Sequence, residues 1–348
     1  MLTEAVEQKW IACFRQVFTL CAVRQGTVAV VLSETLSRQV NVKLAELALL
    51  DLGAQVCHVT LPSPPLAGSV PLRSTGTSLA LQNNRAALAA LTHCEIVIDC
   101  TIEGLLHTPE LREILGAGSR LMMISNEHPE VLERLMPDPS LTPRIQRGVE
   151  LINQAERMEV SSAAGTRLAV DLRDTLGRGS PGYVTEPGKV SYWPAGLCLC
   201  FPRGGSVEGT LVLDVGDMNL TFKRYVESRV ALHIENDFIM SIEGAGLDAE
   251  LMRSYLAAFG DREAYGVSHV GWGMNPAARW DSMVMYDKND INATEYRALA
   301  GTFLYSTGAN EVAQRYTSGH FDLPLRNCTI RLDGQEVIRE GVLLPPLA

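Results

Sequence analysis

His320-Phe321-Asp322 sets an imidazole and a carboxylate two residues apart, just ahead of a strand-like stretch. Successive side chains of an extended chain point to opposite faces, so His320 and Asp322 share one face and Phe321 takes the other. Two donors converging on a point need a third to complete a facial triad, and His269 is the candidate. It lies in Val267-Ser268-His269-Val270-Gly271-Trp272-Gly273-Met274-Asn275-Pro276, whose glycines let backbone come close to a site. Two histidines and one carboxylate leave three positions open for substrate and O2, as in mononuclear non-haem iron(II) oxygenases. Taken alone, His-x-Asp is either a surface or capping pair or such a ligand pair; as a ligand pair its expected cofactor is Fe(2+). No Gly-x-Gly-x-x-Gly follows a strand, so a dinucleotide is not expected.

The other histidines read as structural. His58 and His93 sit on or beside elements of the first half, and His233 alternates within a strand. His128, after Asn126-Glu127 at a strand end, either lines a cleft or starts a helix. Arg326 and Asn327, directly after the His-x-Asp strand, either orient a ligand or contact a substrate oxygen. Eight cysteines, at 13, 21, 57, 94, 100, 198, 200 and 328, contain no Cys-x-x-Cys pair, and Cys198 and Cys200 alternate on one face of a strand. They read as reduced core thiols of a cytoplasmic protein rather than a disulfide frame or a zinc site.

The elements that must position these residues fall into two textures. Up to residue 157 helical and strand patterns alternate: a helix over Ala5–Val23, a strand over Thr27–Leu32, a helix over Val40–Leu52 and a strand over Gln55–Leu61. A Pro/Ser/Gly-rich loop over Pro62–Gly76 precedes a helix over Leu79–Leu91, a strand over Glu95–Asp99, a helix starting at Thr108-Pro109 and a strand over Arg120–Ser125. Helices then start near His128 and Thr142. This is the pattern of a doubly wound parallel sheet, Rossmann- or flavodoxin-like, with ligands beyond the carboxyl ends of its strands. Cys100–His107 and Ser125–His128 lie at such ends.

From 158 to 348 the pattern is α+β and mostly antiparallel. Hairpins are expected around Ala164-Gly165 and Glu235-Asn236-Asp237, a loop over Gly177–Gly188, strands over Leu197–Phe201 and Gly209–Val215, helices over Asp248–Phe259 and Thr294–Leu304, and a closing hairpin around Asp333-Gly334. The expected domains are therefore 1–157, an α/β unit, and 158–348, an α+β metal-binding unit.

A formal net charge of −10 without any Lys/Arg run removes the basic stripe a nucleic-acid partner requires. Met1-Leu2-Thr3-Glu4 carries acid where a signal peptide carries positive charge, and no apolar run reaches membrane-spanning length, so a soluble cytoplasmic protein is expected.

Three segments carry a family resemblance: Gly266-Val267-Ser268-His269-Val270-Gly271-Trp272-Gly273, Gly209-Thr210-Leu211-Val212-Leu213-Asp214-Val215-Gly216-Asp217 and His320-Phe321-Asp322-Leu323-Pro324-Leu325-Arg326-Asn327-Cys328. With Leu105-Leu106-His107-Thr108-Pro109-Glu110, they make the chain resemble 2,5-dihydroxypyridine 5,6-dioxygenases over most of its length. Those enzymes open a ring in bacterial nicotinate degradation, on the scaffold of the aminopeptidase T metallopeptidases. The resemblance implies His269, His320 and Asp322 as iron ligands and His107 as the acid–base residue. It further implies a ring substrate and O2 as partners, N-formylmaleamate as product, and a homo-oligomer.

The resemblance also locates departures. Tyr183–Gly196 is similar to the family's active-site loop, but Tyr192 stands where the family has a histidine, and Ser180 stands for an acidic residue. Leu106, Ser180 and Tyr192 are then the implied substrate neighbours, with Arg326 as a further candidate. Phenol in place of imidazole keeps a hydrogen-bonding tip while raising the intrinsic pKa from about 6.5 to about 10. Glu186 either supplies a carboxylate there or is a solvated loop residue. The peptidases carry a metal-ligand glutamate in a Pro-x-Gly-Glu segment, where this chain has Pro194-Ala195-Gly196-Leu197. Leucine ligates nothing, which counts against a dinuclear hydrolase. Glu243 falls where the peptidases have another ligand, or is a solvated strand-end acid. A binding protein without catalysis is the third class.

Overall fold

A computed structural model describes residues 5–65 and 77–348. The expected Pro62–Gly76 loop lies largely outside them, as do the four residues of the amino-terminal reading. The first part runs α1 (Gln8–Leu20), β1 (Val28–Glu34), α2 (Gln39–Asp51), β2 (Gln55–Leu61), α3 (Arg85–Thr92) and β3 (Ile96–Asp99). It continues with α4 (Pro109–Gly116), β4 (Arg120–Ile124), α5 (Pro129–Arg134) and α6 (Thr142–Gln154). Asn83, at φ +61°, breaks the helical path expected from Leu79, and Asn84 caps α3 by accepting the Ala87 N–H.

The remainder comprises β5 (Arg157–Ser161), β6 (Arg167–Asp171), β7 (Gly177–Ser180), β8 (Val190–Trp193), β9 (Leu197–Cys200) and β10 (Val207–Leu213). A short ribbon, β11 (Met218–Asn219) and β12 (Arg224–Tyr225), precedes β13 (Val230–Glu235), β14 (Phe238–Glu243) and α7 (Leu247–Ala258). Then come β15 (Val267–Gly273), α8 (Glu295–Ala298), β16 (Phe303–Thr307), β17 (Phe321–Leu325), β18 (Thr329–Leu332), β19 (Gln335–Arg339) and β20 (Val342–Leu343).

A parallel sheet has the order β2-β1-β3-β4-β8, the doubly wound order with its switch point between β1 and β3. Both faces are covered, as a parallel sheet requires. Ala29, Val31, Ile96 and Ile98 pack with Phe14, Phe18 and Leu44 on one side, while Val30, Leu32, Val97 and Leu121 pack with Leu91 and Ile114 on the other. Its fifth strand, β8, comes from sequence beyond residue 157. Pro194-Ala195-Gly196 then leads straight from β8 into β9, in a different sheet.

Two antiparallel sheets follow, β14-β13-β10-β6-β5-β18-β19-β20 and β17-β16-β15-β9-β7. Met158, Leu168, Leu211 and Leu232 from the first share a core with Cys198, Cys200, Val270, Trp272, Phe303 and Phe321 from the second. The opposite face of the five-stranded sheet is left for chemistry. The helix expected over Thr294–Leu304 is instead one turn followed by β16. Gly301, at φ +81°, turns the chain there. No described helix is long and apolar enough to cross a membrane.

Candidate metal centre

The free face of the five-stranded sheet is set by alternation. In β15, Val270 and Trp272 go to the core, so His269, Gly271 and Gly273 face away from it. Gly271 lies in register with Leu199 and Leu304 on its two neighbours, and Ser306 with Asp322. Phe321 is fully buried in the core, which turns His320 and Asp322 to the free side.

His107 arrives from the parallel sheet, on the loop after β3. Asp99 ties that loop down. Its Oδ1 accepts the Thr101 N–H at 3.0 Å and the Thr101 hydroxyl at 2.6 Å, and its Oδ2 accepts the Leu105 N–H at 2.9 Å. Burial pushes the Asp99 carboxyl up to about 6 against these donors.

The ring centroid of His107 lies 6.1 Å from that of His269 and 5.7 Å from that of His320, and the latter two are 6.0 Å apart. Asp322 completes the group, its Oδ1 3.6 Å from His269 Nε2 and its Oδ2 3.3 Å from His320 Nε2. Arg297 Nε pairs with the same Oδ2 at 2.7 Å. The Ser306 hydroxyl donates to Asp322 Oδ1 and lies 3.0 Å from His269 Nε2, while Ser268 Oγ lies 3.1 Å from His269 Nδ1.

Burial lowers the His269 pKa to about 3, despite the carboxylate beside it. It also holds His107 well below its ordinary range, helped by His320 and His269. The enclosure therefore favours the neutral form of both imidazoles. Burial opposes the charge on Asp322, but Arg297 and His320 outweigh it and keep the carboxyl ionised well below the usual range.

Neutral imidazoles and an ionised carboxylate are the donor types an iron(II) ion takes. Their 3.3 and 3.6 Å separations are near the roughly 3 Å expected between neighbouring donors about 2.1 Å from a common ion. Among the described residues no three His, Cys, Asp or Glu stand close enough together as drawn to hold a metal ion, and Arg297 and Ser306 engage the carboxylate. The donors fit the ion in kind, and each histidine lies near the carboxylate that would share it.

A chamber of about 130 Å³ opens on this group, smaller than the cavities that hold drug-sized ligands. His107, His269, Arg297, Arg178, Ser180 and Tyr192 supply its polar wall, and Leu106, Val190, Leu197, Leu199, Phe201 and Leu304 its apolar wall. Ser180 Oγ lies 3.0 Å from Ser191 Oγ, and burial raises the Tyr192 phenol far above its ordinary value. A larger concavity, about 680 Å³, lies on the outer face of the eight-stranded sheet. Its Arg157, Arg167, Arg331, Glu159, Glu208 and Glu235 make it a solvated sheet face rather than a reaction site.

Of the residues singled out by sequence, Leu106, His107, Ser180, Tyr192, His269, His320 and Asp322 come together here. Glu186 and Arg326 do not. Glu186 is exposed ahead of β8, and the Arg326 guanidinium stacks 4.4 Å over Trp280 while its N–H donates to Asp217. Glu243 is exposed on β14, 3.2 Å from His233. His128 caps α5, accepting the Glu130 N–H. His93 bonds the Ala89 carbonyl oxygen, and His58 lies half-exposed 3.9 Å from Glu46. All eight cysteines are free, and Cys198 and Cys200 are buried in the core. Sequence reasoning passed over Arg178, Phe201, Arg297 and Ser306. Only Arg178 carries a sequence signal, the alternation Gly177-Arg178-Gly179-Ser180.

Comparison with known proteins covers nearly the whole chain. The family model for 2,5-dihydroxypyridine 5,6-dioxygenase matches residues 9–345. A 2,5-dihydroxypyridine 5,6-dioxygenase of Pseudomonas putida KT2440 is 39% identical over 337 residues, covering 96% of this chain and 95% of that one. The solved structure of 2,5-dihydroxypyridine dioxygenase from the same organism superposes with a TM-score of 0.92 at 37% identity, covering 99% of each chain. Aminopeptidase T (AmpT) of Thermus thermophilus shares the fold, with a TM-score of 0.67 at 12% identity, covering 98% of this chain and all of that one.

Proposed function

The chain belongs to the 2,5-dihydroxypyridine 5,6-dioxygenase family, and from that premise we propose that it opens the ring of 2,5-dihydroxypyridine with O2, using iron(II) held by His269, His320 and Asp322. Held there, iron(II) would supply Lewis-acidic and one-electron chemistry. The reaction adds both oxygen atoms to the ring, so that C5H5NO2 and O2 give C5H5NO4, the composition of N-formylmaleamic acid. No external reductant enters the balance.

The chain's own groups do the rest. His107 faces the two ligand histidines across the chamber and takes the proton of a ring hydroxyl on its neutral imidazole, returning it as the ring opens. Leu199, Leu304 and Phe201 exclude water around the ring. Arg297 holds Asp322 ionised and in place. The observation that carries this reading is the convergence of His107, from one sheet, with three donors from another on a chamber sized for one small ring. The test is an oxygen-electrode assay of the anaerobically iron-loaded protein with 2,5-dihydroxypyridine, alongside metal analysis. About one iron per chain and one O2 per ring lost are expected. Two zinc or cobalt ions with amine release from peptides would replace this reading by a hydrolase.

A further inference from the structure

The neck of the chamber carries a charge that the ring-opening chemistry leaves unused. In Gly177-Arg178-Gly179-Ser180, the glycines face α6. A Cβ on Gly179 would meet Ile145 Cγ2 at 2.5 Å, and one on Gly177 would meet Ile152 at 3.2 Å. Alternation therefore aims Arg178 and Ser180 at the chamber. Beyond the chamber lies a second hollow of about 170 Å³, and Leu106, His107, Arg178, Val190 and Phe201 line both. Arg178 lies at this junction with its Cζ 5.1 Å from the Phe201 ring centroid, and Phe201 in turn is 5.4 Å from the ring of His269.

The chamber lining contains no carboxylate, and that of the outer hollow contains only Glu311, which pairs with Arg112 at 2.9 Å. Arg297 is taken by Asp322. Arg178 is thus, among the described lining residues, the guanidinium that has no carboxylate. A planar five-donor fork at the neck of an aromatic chamber is suited to bidentate capture of a carboxylate.

Resting on the ring-opening reading above, we propose that Arg178 extends the substrate range to dihydroxypyridines bearing a ring carboxylate, with the ring in the inner chamber and the carboxylate at the neck. The test is anaerobic calorimetry with 2,5-dihydroxypyridine and its 3- and 4-carboxylates, on the full chain and on Arg178→Gln and Arg178→Lys, followed by O2 uptake with the same rings. At least one carboxylate is expected to bind the wild type more tightly than the parent ring. Arg178→Gln should weaken that carboxylate by about 10–100-fold, the worth of a charged hydrogen bond, and the parent by at least tenfold less. Arg178→Lys should recover part of the loss.

If both carboxylates bind more weakly than the parent, or Arg178→Gln weakens parent and carboxylate alike, the inference falls even though the parent ring is opened. If the carboxylate preference and its dependence on Arg178 persist while no ring consumes O2, the anion site stands and the dioxygenase reading falls.

Discussion

At the scale of single residues the site divides into groups that bind, groups that react and groups that hold the others. His107 makes ring contacts with Phe201, His269 and His320, and the cap of α4 is Thr108, which makes no side-chain capping bond. Removing the imidazole should therefore leave the helix start intact. His107→Ala is expected to lower kcat by about 10²–10⁴-fold with iron content and melting temperature near wild type. A destabilised variant with near-normal kcat would assign His107 to structure instead. The three proposed ligand positions should not behave alike. His269→Ala loses a buried neutral ring and with it iron retention. Asp322→Ala also removes the fully enclosed carboxylate that the partly buried Arg297 pairs with, a change worth about 3–5 kcal/mol. Urea titration with metal analysis on the folded fraction separates the two. Equal stability of both variants would show that Arg297 does not rely on Asp322. That His320 and Asp322 share a face was readable in sequence because alternation along an extended chain sets it, while the pairing of His269 with them came from the family resemblance. Arg297 and Ser306 were not readable, since an arginine or a serine 16 or more residues from its partner carries no local pattern.

At the scale of elements, the continuous apolar runs of β1, β3 and β4 and the Asp333-Gly334 hairpin follow directly from the residues, and they stand as expected. The strands that failed to announce themselves build the chamber. β7 reads as loop because half its residues are glycine, and β8 because it lies inside a Pro/Gly-rich segment. The start of β16, Phe303-Leu304, reads as the end of a helix because Glu295-Tyr296-Arg297-Ala298 has helical propensity, but that helix stops after one turn and the chain pairs into the sheet. Their hydrogen-bonding partners, distant in sequence, decide them. The same pairing explains Gly271. A Cβ there would sit 2.6 Å from Leu199 Cα and press on the Cys198 carbonyl oxygen, both backbone atoms of β9. Gly271→Ala is expected to destabilise the fold by about 1–3 kcal/mol or more and to lower the melting temperature accordingly. Because the clash lies between two strands of the sheet that carries His269, Ser306 and Asp322, iron affinity should fall with it. A variant with wild-type melting temperature would mean that β9 and β15 separate at little cost.

At the scale of the whole molecule, the two antiparallel sheets are joined by a buried acid, Asp217. It follows β10 of the eight-stranded sheet, and its Oδ1 accepts the N–H of Arg326, just past β17 of the five-stranded sheet, at 2.7 Å. Its Oδ2 accepts the Asp214 N–H at 2.8 Å. Burial pushes its carboxyl up to about 6, outweighing both donors. The native chain therefore holds a proton on Asp217 between about pH 4 and pH 6 that the unfolded chain has released. With more protons on the folded state, stability falls as pH rises through that window, so this contribution is complete below about pH 4 and lost above about pH 6. His107 and His269 act in the opposite sense, because they stay neutral in the fold below the pH at which they charge when unfolded. Total stability is thus a poor readout of any one of these groups, and a difference measurement is required. Asp217→Asn cannot titrate. The stability advantage of wild type over this variant, from urea unfolding between pH 4 and pH 7.5, should be largest at pH 4 and shrink by roughly 2–3 kcal/mol by pH 7. An advantage that grows with pH would mean that the two N–H donors hold Asp217 ionised across the junction, so that the sheets are joined by a buried anion and not by a neutral acid.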